Sequence, residues 1–338
     1  MPSKPHNPTL PTFYLDQSTL SDAFRSAAVS PTGASAPYRQ LFAWIQEVSS
    51  QANLCLSHAH VVEMAAWSEA DAMAAWLDSL DVVWLRSHPE VQRAEDEYLV
   101  RLVAGSASRE APSPFAPSFL TSFGDRVTSA NLSGMLSNPT IFGAVQGARQ
   151  RASQGERDFM PDFHAMLRRD REMAAASGIS EQRLQDGLAY NMRVALRTRA
   201  GEAHERLVER ADLEYLATGA TWGSVQDPFV ERYENDPTAL PVTRIVEAYT
   251  RGFERETASQ RPNSRAVRRR HASAFFDLAH AGAAAAYCDV FTCDDFTARC
   301  LGDIRARWSR SPPVARRPGE EDATFVGRLM ATWPQPAP

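Results

Sequence analysis

The first hundred residues alternate between short apolar runs and longer amphipathic stretches. The apolar runs at residues 12–15, 53–56 and 82–85 have the length and composition of buried β-strands. The stretches that follow them place apolar residues at helical spacing, which predicts α-helices over 22–28, 37–51, 58–80 and 89–102. This β-α-β-α order indicates a parallel sheet with helices on its faces.

The alternation stops after residue 103. Residues 105–122 are rich in Ser, Pro and Ala and predict a loop, whereas residues 123–240 contain helical patterns without a convincing strand. The clearest helical patterns of this region lie at 158–177, 181–199 and 202–218. Closer to the C-terminus, the spacing predicts a strand over 290–293 and helices over 241–255, 265–287, 296–308 and 323–333.

These patterns predict an α/β fold in three layers, α/β/α, with a mainly parallel sheet that is interrupted by a large all-helical insertion. The α/β domain would comprise residues 10–103 and 262–308, the insertion residues 104–261, and a tail residues 309–338. Structureless stretches of this length are uncommon inside domains. We therefore expect the insertion to have a core or a function of its own.

The composition is that of a globular protein: the 338 residues are 43% hydrophobic and 23% charged, with a formal net charge of −5. No apolar stretch approaches the ~20 residues of a membrane-spanning helix. Residues 1–12 lack the apolar run of a secretory signal, so we expect a cytoplasmic protein without membrane partners. Four cysteines are too few for a disulfide scaffold of this size. The net charge argues against non-specific coating of nucleic acid, but it permits a local basic groove.

Acidic residues lie close to the ends of the predicted strands. Asp16 comes directly after the first strand, and Glu63 lies in the second turn of the helix after the second strand. A helix from Asp277 to Tyr287 rises about 15 Å, and the strand after it descends roughly 20 Å, so Asp294 returns to the level of Asp277. Since ligand sites of open parallel sheets lie beyond the carboxyl ends of the strands, we expect the four carboxylates to meet at that edge.

Four converging carboxylates repel one another unless cations are bound between them. Hard divalent cations such as Mg²⁺ or Mn²⁺ take oxygen ligands, and Mg²⁺ keeps several waters while it uses few carboxylates. Such ions activate a water molecule and stabilise the leaving oxygen in phosphodiester hydrolysis. The constellation therefore predicts a site whose metal ligands and catalytic residues are Asp16, Glu63, Asp277 and Asp294.

The ordered set of motifs resembles that of PIN-domain nucleases. It is similar to the family's hydrophobic-Asp-x-Ser/Thr/Asn opening, its acidic residue on a post-strand helix, its Asp-x-x-x-Ala helix and its closing Thr-x-Asp. The matching segments are Leu15-Asp16-Gln17-Ser18, Val61-Val62-Glu63, Asp277-Leu278-Ala279-His280-Ala281 and Phe291-Thr292-Cys293-Asp294. The resemblance covers residues 10–103 and 262–308. It implies a PIN-like fold and a metal-dependent ribonuclease, in many members the toxin of a toxin–antitoxin pair. The insertion at 104–261 is a departure, because many PIN domains are compact and much shorter.

Other polar residues near these motifs are candidates for substrate binding. Three of them lie beside the carboxylates in the sequence, where they would contact a ligand water or the substrate phosphate: Ser18, Thr292 and His280. The alternative is that they satisfy local polar groups or packing. The basic residues Arg268, Arg269 and Arg270 precede the Asp277 helix. They are candidates for phosphate binding, because a guanidinium group binds phosphate oxygens bidentately. The alternative for them is a solvated helix face.

Several acidic and histidine residues also have competing interpretations. The Thr-x-Asp spacing favours Asp294 as the ligand, which leaves Asp295 as the N-cap of the last helix. Glu95 and Glu97 could be accessory ligands, but a solvated face is the default for both. A zinc-like cluster without a further partner is a minor alternative on the helix predicted over 58–80, where the candidate residues are His58, His60 and Glu63.

Two functions of different classes follow. The first is a divalent-metal-dependent endonuclease that acts on RNA or single-stranded DNA, as a toxin-type or RNA-processing enzyme. The second is a PIN-like binding or regulatory module whose helical insertion binds a protein partner or inhibitor. The presence of all four acidic positions favours the first function.

Overall fold

The computed structural model describes residues 5–29, 36–65, 67–106, 111–116, 132–136, 176–258, 273–302 and 314–332, with a few isolated positions between 143 and 173. In these ranges six strands form one sheet, in the order β4-β3-β2-β1-β5-β6. The strands are β1 (Thr12–Tyr14), β2 (Asn53–Ser57), β3 (Val82–Leu85), β4 (Phe115–Ala116), β5 (Val290–Cys293) and β6 (Val314–Ala315).

The sheet is parallel except at one edge. β1 lies near its centre, with Tyr14 opposite Cys55 of β2 on one side and opposite Phe291 of β5 on the other. β3 and β6 extend the sheet in the same direction, whereas β4 pairs antiparallel with β3. The four predicted strands and the mainly parallel sheet are confirmed. β4 and β6 were not predicted, because two-residue strands carry too little pattern to be recognised.

Several helices depart from the predicted bounds. A turn that includes Ser68 and Glu69 divides the helix predicted over 58–80 into two. The first helix continues as a π-helical turn, Arg25–Val29. The helix predicted over 158–177 lies mostly outside the described residues. The described helices are α1 (Gln17–Phe24), α2 (Ala36–Val48), α3 (His58–Met64), α4 (Ala70–Asp78), α5 (His88–Val103), α6 (Leu132–Leu136), α7 (Glu181–Glu209), α8 (Leu213–Leu216), α9 (Trp222–Asn235), α10 (Pro241–Ala258), α11 (Ala274–Tyr287), α12 (Asp295–Cys300) and α13 (Asp322–Met330).

Helices cover both faces of the sheet, and each face has its own hydrophobic core. Successive side chains of a strand point to opposite faces. Phe13, Leu54 and Trp84 therefore share one face, where they pack with α1, α2, α4 and α13. Tyr14 and Phe291 lie on the other face with α5, α10, α11 and α12. The arrangement is an α/β fold with helices on both sides of the sheet.

A third core joins the helical region to the sheet domain. Leu207 of α7 and Phe229 of α9 pack with Leu99 and Val100, which belong to the end of α5. The helical region therefore has a core of its own, in which one helix of the sheet domain takes part. α10, assigned by sequence to the insertion, instead packs on the second face of the sheet through residues such as Ile245.

The predicted all-helical insertion over 104–261 differs from the structure in two respects, because the strand β4 lies within it and two of its predicted helices are one. The residues described within 123–240 contain helices and no strand. The two helices predicted over 181–199 and 202–218 are one continuous helix, α7, followed by the short α8. Gly201 does not end the helix: a Cβ at this position would lie 2.1 Å from the Trp222 ring, so the glycine allows close packing. Within the described ranges, no helix combines the length and the apolar character needed to cross a bilayer.

Candidate functional site

Two acidic residues begin helices at the carboxyl ends of adjacent strands. Asp16 follows β1 and is the N-cap of α1, where its carboxylate accepts a hydrogen bond from the Thr19 amide at 3.2 Å. Asp294 follows β5 and is the N-cap of α12, where its carboxylate accepts from the Thr297 amide at 2.6 Å. Because β1 and β5 are parallel neighbours, both carboxylates lie at the same edge of the sheet.

Two hydroxyl groups hold the Asp16 carboxylate. Ser18 Oγ donates to one of its oxygens at 2.6 Å, and Thr292 Oγ1 donates to the other at 2.9 Å. The Thr292 hydroxyl also accepts a hydrogen bond from the Asp16 amide at 2.7 Å, and Thr292 is fully buried. In this structure the two hydroxyls restrict the orientation of Asp16, and their contact with a substrate stays a prediction.

Glu63 lies on α3 and is hydrogen-bonded to a residue of α11. Its carboxylate accepts a hydrogen bond from His280 Nε2 at 2.9 Å. The other ring nitrogen of His280, Nδ1, lies 2.5 Å from the Tyr14 hydroxyl, and both rings are buried. Both nitrogens of His280 therefore have protein partners, which favours a hydrogen-bonded packing role for it over contact with substrate.

Asp277 lies in the first turn of α11, one turn before His280. Ser273 Oγ donates a hydrogen bond to its carboxylate at 2.9 Å. Burial, together with the nearby Asp294 and Glu63 carboxylates, raises the pKa of Asp277 from 3.8 to about 7, although Ser273 and His280 oppose the shift. Asp277 therefore lies within electrostatic range of Asp294 and Glu63.

The four carboxylates act on common neighbours. Burial lowers the pKa of His280, but the charges of Glu63, Asp16 and Asp277 outweigh burial, so that this pKa is raised. Burial raises the pKa of the Cys293 thiol, and three carboxylates raise it further: Asp16, Asp294 and Asp277. The structure thus brings all four acidic residues to one region, beyond the carboxyl ends of β1 and β5.

The donors of this region have the chemistry that a hard divalent cation requires, because carboxylates offer only oxygen ligands. Among the residues that the structure describes, however, no group of three or more His, Cys, Asp or Glu side chains is placed to hold a metal ion. Ion binding is therefore an expectation from donor chemistry and charge repulsion.

The alternative histidine cluster on α3 is not favoured. His60 Nδ1 accepts the Ser57 amide at 3.0 Å, and its Nε2 donates to the Leu15 carbonyl oxygen at 2.8 Å. Burial lowers the pKa of His60 to about 3, with a smaller contribution from His280. The ring is therefore neutral with both nitrogens engaged, and it offers no lone pair to zinc.

Three other helices, α7, α10 and α11, contact the acidic face of α5, so the solvated face expected for Glu95 and Glu97 was wrong. Glu95 is buried, and its carboxylate accepts the Tyr287 hydroxyl at 2.6 Å and the Val242 amide at 3.1 Å. Burial raises the pKa of Glu95 to about 7. Glu97 forms an ion pair with Arg206 of α7 at 2.9 Å.

One helix cap differs from its prediction, and two residues of the hydrogen-bond network around His280 were not predicted. The N-cap of α12 is Asp294 and not Asp295, which forms an ion pair with Arg299 instead. Tyr14 and Ser57, which connect to His280, were missed; the signal for Tyr14 was its place in a buried strand, because a buried tyrosine hydroxyl usually needs a partner. Three predicted phosphate ligands lie outside the described residues: Arg268, Arg269 and Arg270.

None of the family models, curated proteins or solved structures compared with the chain matches it. The resemblance to PIN-domain nucleases therefore rests on the motifs of the sequence. The functional interpretation rests on those motifs and on the geometry of the site.

Proposed function

We propose that the chain is a divalent-metal-dependent endonuclease that hydrolyses phosphodiester bonds, with RNA as the first candidate substrate and single-stranded DNA as the second. The observation that supports this proposal is that four acidic residues beyond the carboxyl ends of β1 and β5 act electrostatically on the same buried neighbours, His280 and Cys293. One of them, Asp277, has a pKa raised to about 7. Titratable groups perturbed in this way are typical of functional sites.

The proposed ligands of Mg²⁺ or Mn²⁺ are Asp16, Glu63, Asp277 and Asp294. A bound ion would lower the pKa of a water molecule and stabilise the negative charge that develops during phosphodiester cleavage. The contribution of the chain is to hold acidic groups close together although their charges repel one another. Each of the four carboxylates accepts a hydrogen bond that restricts its orientation: Asp16 from Thr292, Glu63 from His280, Asp277 from Ser273 and Asp294 from the Thr297 amide.

The test is metal-dependent cleavage of a mixed panel of RNA and single-stranded DNA. We expect the wild type to cleave with Mg²⁺ or Mn²⁺, and Asp16→Asn to lose cleavage. Asp289→Asn is a matched control, because Asp289 accepts the Thr12 amide at 2.8 Å at the opposite end of the strands, and this variant should remain active. Wild-type protein without cleavage under any of these conditions would contradict the proposal.

One observation favours the second function, a binding module. In the described part of the chain, the large hydrophobic side chains that are exposed all lie between Met173 and Trp222, in the helical region. Leu213 is the most exposed of them, at 79%. A partner protein that bound this region would cover apolar side chains of this kind. Wild-type protein that neither cleaves nucleic acid nor gains stability from Mn²⁺ would favour this function over the first.

A further inference from the structure

A chain of buried hydrogen bonds ends on Glu63. Ser57 Oγ lies 2.7 Å from Tyr14 Oη, Tyr14 Oη lies 2.5 Å from His280 Nδ1, and His280 Nε2 lies 2.9 Å from Glu63 Oε2. Tyr14, Ser57 and His280 are exposed by 0%, 4% and 7%. Only the glutamate at the end of this chain has appreciable contact with solvent, at 29% of its side chain.

The donor and acceptor chemistry of these groups determines the direction of each hydrogen bond in the row. A carboxylate can only accept, so His280 Nε2–H donates to Glu63. In the neutral imidazole Nδ1 is then the acceptor, and the Tyr14 hydroxyl donates to it. With its proton used in this way, the Tyr14 oxygen accepts from Ser57. While the His280 imidazole is neutral, every donor therefore points toward Glu63.

This row of hydrogen bonds also connects α3 and α11, two helices that carry acidic residues of the site. Glu63 belongs to α3, while His280 belongs to α11, the helix whose first turn contains Asp277. Tyr14 belongs to β1, which has neighbours on both sides and is therefore firmly held. The hydrogen bond between Glu63 and His280 thus fixes Glu63 relative to Asp277, with the central strand as the reference.

We propose that Tyr14 and His280 are positioning residues that hold the Glu63 carboxylate in the orientation required to bind a divalent cation. This inference rests on the proposed function and deepens it. Hydrogen-bond partners behind metal ligands orient those ligands, and their loss typically weakens metal binding about 10- to 100-fold. Tyr14 contacts neither substrate nor ion in this scheme, and it acts on Glu63 through His280.

The experiment compares Tyr14→Phe with a matched control, Tyr215→Phe. Tyr215 is also a buried tyrosine whose hydroxyl lies close to a histidine nitrogen, 2.6 Å from His204 Nδ1, but it belongs to the core of the helical region. Both variants keep the aromatic ring and lose one hydroxyl. The readouts are the Mn²⁺ concentration that gives half of the maximal gain in melting temperature, the same midpoint in calorimetric titration, and the imidazole nitrogen NMR shifts of His280.

We expect Tyr14→Phe to raise the Mn²⁺ midpoint by about 10-fold and to shift the His280 nitrogen signals. Tyr215→Phe should leave both unchanged. His280→Gln keeps an amide donor for Glu63, so it should bind Mn²⁺ more tightly than His280→Ala. A purely structural role would lower the melting temperature of both tyrosine variants and leave the midpoint unchanged.

The outcomes separate the two proposals. A wild type that binds no Mn²⁺ overturns the proposed function, and with it any role of Tyr14 in metal binding. A wild type that binds Mn²⁺ with the same midpoint as Tyr14→Phe overturns only the positioning role. Equal midpoints for His280→Gln and His280→Ala would also overturn it, because the donor to Glu63 would then be irrelevant.

Discussion

Replacement of Asp277 by asparagine should stabilise the ion-free protein above neutral pH. Burial and the Asp294 and Glu63 carboxylates raise the pKa of Asp277 from 3.8 to about 7. One pKa unit corresponds to about 1.4 kcal/mol, so the ionised carboxylate opposes folding by at most about 4 kcal/mol. Since Asp277 is partly exposed, solvent screens its charge, and we expect Asp277→Asn to gain about 1–2 kcal/mol at pH 8.

The sign of this effect follows from proton linkage. Folded Asp277 holds its proton more strongly than the unfolded chain does, so its contribution to stability is complete below about pH 4 and is lost as the pH rises to about 7. Burial also raises the pKa of Glu95 to about 7 and that of Asp96 to about 6. These two groups affect wild type and variant alike, so the difference between the two proteins isolates Asp277.

The assay is urea unfolding of both proteins in the presence of a chelator, at about pH 4.5 and at pH 8. The advantage of Asp277→Asn should grow between the two pH values. The Ser273 hydroxyl can still donate to the amide oxygen, so the variant retains this hydrogen bond. An advantage that is equal at both pH values, or a variant that is less stable than the wild type at pH 8, would refute the reasoning.

Three further predictions concern the metal, a close backbone contact and a buried carboxylate. Mn²⁺ at 100-fold excess over its dissociation constant should stabilise the wild type by about 2.7 kcal/mol in calorimetry, and Asp16→Asn should lose this gain. Gly252→Ala should cost about 3 kcal/mol in urea unfolding, because a Cβ would lie 2.2 Å from the Cys300 carbonyl oxygen. Gly327→Ala, at an open helical position, should cost nothing; equal losses for the two glycine variants would contradict the close contact. Glu95→Ala should cost about 2–3 kcal/mol in the same assay, because a buried amide and a tyrosine hydroxyl lose their acceptor; a loss near zero would speak against their desolvation.

The strands and helices with strong local patterns could be predicted from the sequence. A buried parallel strand needs a continuous apolar run, and the run at 82–85 matches β3. The two-residue strands β4 and β6 exist only because a longer neighbour pairs with them, so no local pattern reveals them. Gly201 shows the same limit inside a helix, because a distant partner, Trp222, decides whether that glycine ends α7 or allows packing against it.

The edge of the sheet at which Asp16 and Asp294 lie could be derived, because the direction of a parallel strand determines where it ends. Their hydrogen bonds could not be derived. Thr292 reaches Asp16 across a separation of 276 residues, and this contact depends on the register between β1 and β5. Glu95 is buried because α10 begins beside it and Tyr287 of α11 contacts it, which no pattern within α5 reveals.

The central position of β1 has a consequence for how the protein is made. Phe13 pairs with Val290, and the Asp289 carboxylate accepts the Thr12 amide, 277 residues earlier in the chain. At translation rates of about 5–20 residues per second, β1 waits tens of seconds for this neighbour. Half of the acidic site arrives with the same late segment. A growing chain therefore has an incomplete sheet and, until residue 294 has been made, lacks half of the carboxylates that the proposed function requires.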